Sequence, residues 1–93
     1  LAEIVDAVGD KIDVICEGGF QRGTHMLKAL SIGAKACSGG RLYLYALAAA
    51  GQAGVERALG QYKAELERDM KLMGCKKISD LNRNNLRFRK VWI

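Results

Sequence analysis

The stretch "ICEGGFQRG", residues 15–23, decides how the chain is read. A β-branched, apolar run ends in an acid, and two glycines, a basic loop and a third glycine follow. The same order returns in "ACSGGRLYLY", residues 36–45, where a short run is closed by Gly39, Gly40 and Arg41. An apolar run of this length bounded by glycines reads as a buried strand. The two segments therefore predict strands over residues 12–17 and 34–39, each followed by a glycine loop and a helix.

The flanking patterns fit that frame. Residues 2–9 carry Ile4, Val5 and Val8 at helical spacing, and Gly9-Asp10 ends the run. Thr24 is placed to cap a second helix through Ile32, with Met26, Leu27 and Leu30 facing inward. Gly33 stands where a helix is commonly closed by a left-handed glycine. A further segment ends at Gly51. Beyond it Val55, Leu59, Tyr62, Leu66, Met70 and Met73 form one apolar helical stripe, with Glu56, Arg57, Lys63, Glu65, Glu67, Arg68 and Lys71 on the other faces. Gly74 ends this helix, and one more turn is expected at 78–81.

Helices alternating with strands predict parallel strands joined by right-handed crossovers. The strand starts lie about two dozen residues apart, a spacing that a β/α unit accommodates. Two parallel strands cannot cover their own faces and edges. The pattern thus asks for more strands than 93 residues supply. It fits either a piece of a larger barrel or copies that associate to complete one.

Composition narrows the classes. The chain is 49% apolar, without proline, which is globular material rather than a disordered segment. It contains no apolar run of membrane-spanning length and no signal-peptide pattern. The cysteines, Cys16, Cys37 and Cys75, form no C-x-x-C pair and stand beside a single histidine, which argues against zinc. An odd cysteine count without a framework suits a reducing compartment, the cytoplasm. Residues 1–75 balance nine basic against nine acidic side chains. The net charge of +5 therefore resides in residues 76–93, a basic tail with Lys76, Lys77, Arg83, Arg87, Arg89 and Lys90 against Asp80. Such a tail can meet phosphate backbones, but no base-stacking or groove-reading motif accompanies it. A solvated tail, or one docked on acids of its own protein, is the plainer expectation.

In α/β proteins, ligands gather at the carboxyl ends of parallel strands. Glycine lets backbone N–H groups approach a ligand, and an adjacent arginine adds a bidentate cation. Physics alone suggests a phosphate cradle built from "EGGFQRG" and "GGR". The alternative is that these glycines only make tight turns.

Residues 3–59 resemble the C-terminal part of the FMN-dependent α-hydroxy-acid dehydrogenases and oxidases. That family includes glycolate oxidase, the flavocytochrome lactate dehydrogenases and mandelate dehydrogenase. Its pattern here is D-G-G-x-R-R-G-T-D-x-x-K-A-L-A-L-G-A, followed by a strand ending in G-R-P. The likeness continues through "AELERDMKLMGCKKISDL", residues 64–81. The resemblance implies an α/β fold, the last two β/α units of a (β/α)8 TIM barrel, with strand seven at 12–17 and strand eight at 35–40. It divides the chain into barrel units over 1–75 and a tail over 76–93. It implies an FMN-binding role for Glu17, Gly18 and Gly19 on the D-G-G triplet, for Gln21 and Arg22 on the two arginines, and for Gly40 and Arg41 on the G-R pair. Glu17 replaces an aspartate, Gln21 an arginine, His25 the aspartate of G-T-D, and Leu42 a proline. The implied catalytic histidine, substrate arginine and flavin-facing lysine fall before residue 1, so His25 is not read as the base. Tyr43, Tyr45 and Tyr62 are read as packing residues.

The resemblance thus implies an oxidoreductase segment whose substrate, in the full enzyme, is a small 2-hydroxy acid. The implied partners are an upstream barrel segment or further copies of the chain. The alternative reading is a non-catalytic module of the same descent, which self-associates or binds a phosphate-bearing ligand.

Overall fold

The computed structural model describes residues 1–90. Helix α1 (Ala2–Val8) leads into strand β1 (Ile15–Glu17), helix α2 (Gly23–Ile32), strand β2 (Ala36–Ser38) and the long helix α3 (Arg41–Leu72). Two 3₁₀ turns, Ile78–Asp80 and Arg83–Asn85, finish the described chain. The last three residues of the basic tail lie outside the described residues.

The strands pair in parallel, with Ile15 opposite Ala36, Cys16 opposite Cys37 and Glu17 opposite Ser38. Both are shorter than the sequence predicts. Residues 11 and 12 instead fold back on the end of α1, where their amides donate to the carbonyl of Val8. One further bond, from Lys35 N–H to Val14 O at 2.7 Å, extends the pairing. A two-stranded ladder has no outer neighbours to carry it further.

Thr24 is not the cap of α2. The N-cap is Arg22, extended at φ −141° and ψ 154°, and no side chain of its own closes the helix end. The carboxylate of Glu65, from α3, takes the free amide of Gly23 at 2.8 Å instead. That releases the Thr24 hydroxyl, one position inside the helix, to donate to Asp69 of α3. At the other end Gly33 has φ +129°, as a helix-closing glycine should, and a Cβ there would meet Val5 at 2.7 Å. That close approach seats α1 on the end of α2.

Helix α3 is two arms. Ala50 (φ −152°, ψ 22°) and Gly51 (φ +60°, ψ −143°) leave helical geometry, dividing a short arm over residues 41–49 from a long arm over 52–72. Only glycine adopts the backbone angles of residue 51 without strain.

Two small cores hold these elements. Phe20, Ala29 and Ala34 form one, with Cys16, Met26, Cys37 and Leu42 packed against it. Leu27, Met70 and Leu81 form the other, flanked by Leu30, Leu66 and Cys75. Leu81 brings the segment after Gly74 into this second core. Arg83 fastens it further: Nε donates to Ile32 O at 3.0 Å, and Nη2 lies 2.9 Å from Asp6 Oδ1. The expected stripe on α3 is inward only in part, since Met70 is buried while Leu59 and Met73 are exposed. Ile4, one of the apolar residues at helical spacing on α1, is exposed as well, as are Ile12, Ile15, Tyr43, Leu44 and Leu47. These apolar side chains lie on helices, loop and strand alike, and among the described residues nothing covers them.

Candidate functional site

The two glycine loops open on one hollow of about 720 Å³. The β1–α2 loop contributes Glu17, Gly18, Gly19, Phe20 and Gln21. The β2–α3 loop contributes Ser38, Gly39, Gly40 and Arg41. The short arm adds Leu42, Leu44 and Tyr45, and the long arm adds Tyr62. A volume of that size suits a small-molecule ligand.

Gly18 and Gly19 have φ +114° and +71°, and the space that a Cβ would occupy is open at both. The loop therefore presents bare backbone to the hollow. On the opposite lip, Gly40 starts α3 with no side-chain cap, so the first amides of a nine-residue helical arm are left for a ligand. Arg41 stands at that start. A Cβ at Gly40 would lie 3.4 Å from Glu17 Oε1, which places the carboxylate beside the uncapped helix end. The hollow thus joins an acceptor, Glu17, to a set of donors: the backbone, Gln21 and Arg41. Such a set can take an anion at one end and hydroxyl groups beside it.

Six of the seven residues singled out in the sequence line this hollow; Arg22 does not. Its guanidinium turns to Glu65, with Nε 3.0 Å from both carboxylate oxygens. Glu65, placed by its sequence pattern on an outer face, is in fact buried, 7% exposed. Burial is tolerated because the carboxylate accepts from Arg22, from the Gly23 amide and from Gln61 Nε2. The Arg22 bond, then the Gly23 bond, hold its pKa at about 2. The same pairing raises Arg22 further. Beside it, the Thr24 hydroxyl holds Asp69 below the usual carboxylate range. The long arm of α3 thereby grips the loop that makes one wall of the hollow.

His25 braces the loop in this arrangement. Its Nδ1 accepts from the Gln21 amide at 3.1 Å, which tightens the turn between loop and helix. Tyr45 and Tyr62, read from the sequence as packing residues, reach the wall of the hollow. No spacing signals either one, because they come from opposite sides of the Gly51 break. Among the described residues, no helix is long and apolar enough to cross a membrane.

Comparison with known proteins agrees with this geometry. The profile of the FMN-dependent dehydrogenase family matches residues 1–88. The chain is 45% identical to the peroxisomal (S)-2-hydroxyacid oxidase GLO4 of Arabidopsis thaliana, over 94% of this chain and 24% of that protein. It is 45% identical to the L-lactate oxidase of a Nostoc species, over 88% of this chain and 22% of that one. Among solved structures, a soluble mutant of the membrane-associated (S)-mandelate dehydrogenase of Pseudomonas putida superposes with a TM-score of 0.87 at 38% identity, covering 92% of this chain and 24% of that one. The flavin-binding domain of baker's yeast flavocytochrome b2 superposes at 0.86 with 37% identity, covering 99% and 26%. The chain spans about a quarter of the length of these relatives. The structural neighbours are TIM-barrel flavoenzymes, and the helices and paired strands seen here agree with part of such a barrel.

Proposed function

From the premise that this chain belongs to the FMN-dependent dehydrogenase family, whose cofactor is FMN, we propose that it forms the phosphate and ribityl end of the flavin site in a 2-hydroxy-acid oxidase or dehydrogenase. In this reading its strands are the seventh and eighth of a (β/α)8 barrel. One observation carries the proposal: two glycine loops and Arg41 face a single hollow, with open backbone at Gly18 and Gly19.

The residues fit such a group. Arg41 and the uncapped start of α3 supply positive charge for a phosphate. Gln21 replaces a charged donor with a neutral one, so the phosphate is held by one arginine rather than two. Glu17 accepts hydrogen bonds from the hydroxyls of a sugar-alcohol chain. Arg22 works through Glu65, fixing the loop rather than touching the ligand. When bound, the flavin supplies two-electron redox chemistry to the substrate. The proton-accepting histidine and the substrate-binding arginine are assigned to the portion of the relatives that this chain does not span. The chain alone is therefore expected to bind flavin without turning over a hydroxy acid.

A second reading rests on the uncovered apolar side chains Ile4, Ile15, Leu44 and Leu47. An open strand edge and an apolar face associate with a complementary surface. The partner is an upstream barrel segment or a second copy of the chain. The free thiols fit a reducing compartment, the cytoplasm among them.

Titration of the chain with FMN, read by quenching of flavin fluorescence, tests the first reading. Saturable binding that inorganic phosphate weakens is the expected result. Failure to bind, in a sample shown by circular dichroism to be folded, overturns it. Light-scattering mass of the same sample tests the second, where a monomer at all concentrations excludes self-association.

A further inference from the structure

Cys16 and Cys37 face each other directly across the parallel strands, in the central register pair. In-register residues of neighbouring strands project to the same side of the sheet. Both side chains pack against the same buried cluster of Phe20, Ala29 and Ala34. Both are half-buried, and both are free thiols. The Cys37 thiol donates a long bond to Met26 O at 3.8 Å, which aims its sulfur toward α2.

We propose that this pair is a two-thiolate site for a soft, closed-shell monovalent metal ion of the copper(I) class. The strand spacing selects between the two things that paired thiols can do. Parallel strands lie about 4.8 Å apart, and in-register Cβ atoms stay near that separation. A disulfide requires Cβ atoms at about 3.5–4.5 Å and would draw the strands together. A bridging ion with metal–sulfur bonds of about 2.3 Å spans sulfurs up to about 4.6 Å apart, which side chains on Cβ atoms at that spacing reach by rotation about χ1, without moving the backbone. Thiolate ligands select copper(I), and two of them packed against Phe20, Ala29 and Ala34 provide no shell for a hard or strongly hydrated ion. Zinc would want four ligands, and the surroundings are Phe20, Ala29 and Ala34. Binding is a proton exchange: two thiols and one monovalent cation give a bis-thiolate complex of net charge −1 and two protons, with no change in oxidation state. The site requires no flavin and stands whether or not FMN binds.

Copper(I), supplied from a bicinchoninate complex under anaerobic reducing conditions, is titrated into the intact chain. One ion per chain is expected. Affinity should fall at least about 100-fold in C16S and in C37S, a change on the scale of disrupted metal shells, and stay unchanged in C75S. In the unmutated chain, the ion should protect Cys16 and Cys37, but not Cys75, from iodoacetamide, read by peptide mass. That measurement needs no variant to fold. Retention of the ion by the double variant C16S/C37S, protection of Cys75 instead, or complete loss of copper to bicinchoninate overturns the proposal.

Discussion

Glu65 holds the guanidinium of Arg22 and the amide of Gly23 with one buried carboxylate, across 43 and 42 positions of sequence. It is the chief polar tie between the loop that walls the hollow and the helix behind it. Its strength depends on ionisation. In the fold its pKa is about 2, against an ordinary 4.5. A depressed carboxylate contributes stability that is complete above its unfolded pKa and is lost as pH falls through the folded one. The denaturation midpoint should therefore decline as pH drops from about 4.5 towards 2. In E65Q the midpoint at pH 7 should be lower and the acid decline shallower. Urea titrations at pH 7, 4.5 and 3 measure both, and an unchanged acid limb in E65Q would remove Glu65 from this role.

Gly23 is the contact point of α2 with α3. A Cβ there would meet Glu65 Cβ and Leu66 N at 2.6 Å and Tyr62 O at 2.8 Å. Two of these three neighbours are backbone, so they cannot turn aside. G23A should cost about 1–3 kcal/mol, the range of overpacked sites. Chemical denaturation measures the loss, and a neutral result would mean that the helices separate freely.

The proposed flavin site gives the phosphate one charged donor, Arg41, and one neutral donor, Gln21. R41A should weaken FMN binding about 10- to 100-fold, the equivalent of one charge-assisted hydrogen bond. Q21R should tighten it. Fluorescence titration of both variants against the parent chain decides the matter, and equal affinities for all three would place the phosphate elsewhere.

The hydroxyl of Ser31 is buried, 2% exposed, and finds no hydrogen-bond partner among the described residues. Removing it should relieve an unsatisfied group without leaving a sizeable void. S31A is expected to gain about 1 kcal/mol. L27A, in the second core, should lose about 2–5 kcal/mol. Thermal unfolding of the two variants should therefore move in opposite directions.

Much of this frame was legible in the sequence, and the parts that were not share a physical cause. Gly18, Gly19, Gly40 and Arg41 could be placed because glycine after a β-branched run has a local meaning. Gly33 and Gly51 could be placed because a left-handed backbone favours glycine. Glu65 could not, because a charged residue is buried only when distant partners neutralise it, and no helical period records Arg22. Thr24 was misplaced for the same reason: a carboxylate from another helix took over the capping that a nearby hydroxyl usually performs. Ile4 and Leu59 follow the apolar period yet lie exposed, since periodicity shows which face prefers burial and not whether a neighbour covers it.

The break at Gly51 gives α3 the action of a pair of callipers. One jaw ends at Arg41 on the lip of the hollow, and the other carries Tyr62 to its wall and grips the facing loop through Glu65. The pivot is Ala50 with Gly51, and few residues other than glycine can adopt the backbone angles of the second. The gap between the jaws is therefore set by torsion at two positions that line no part of the hollow, and the width of the hollow and the grip on its loop become one adjustment.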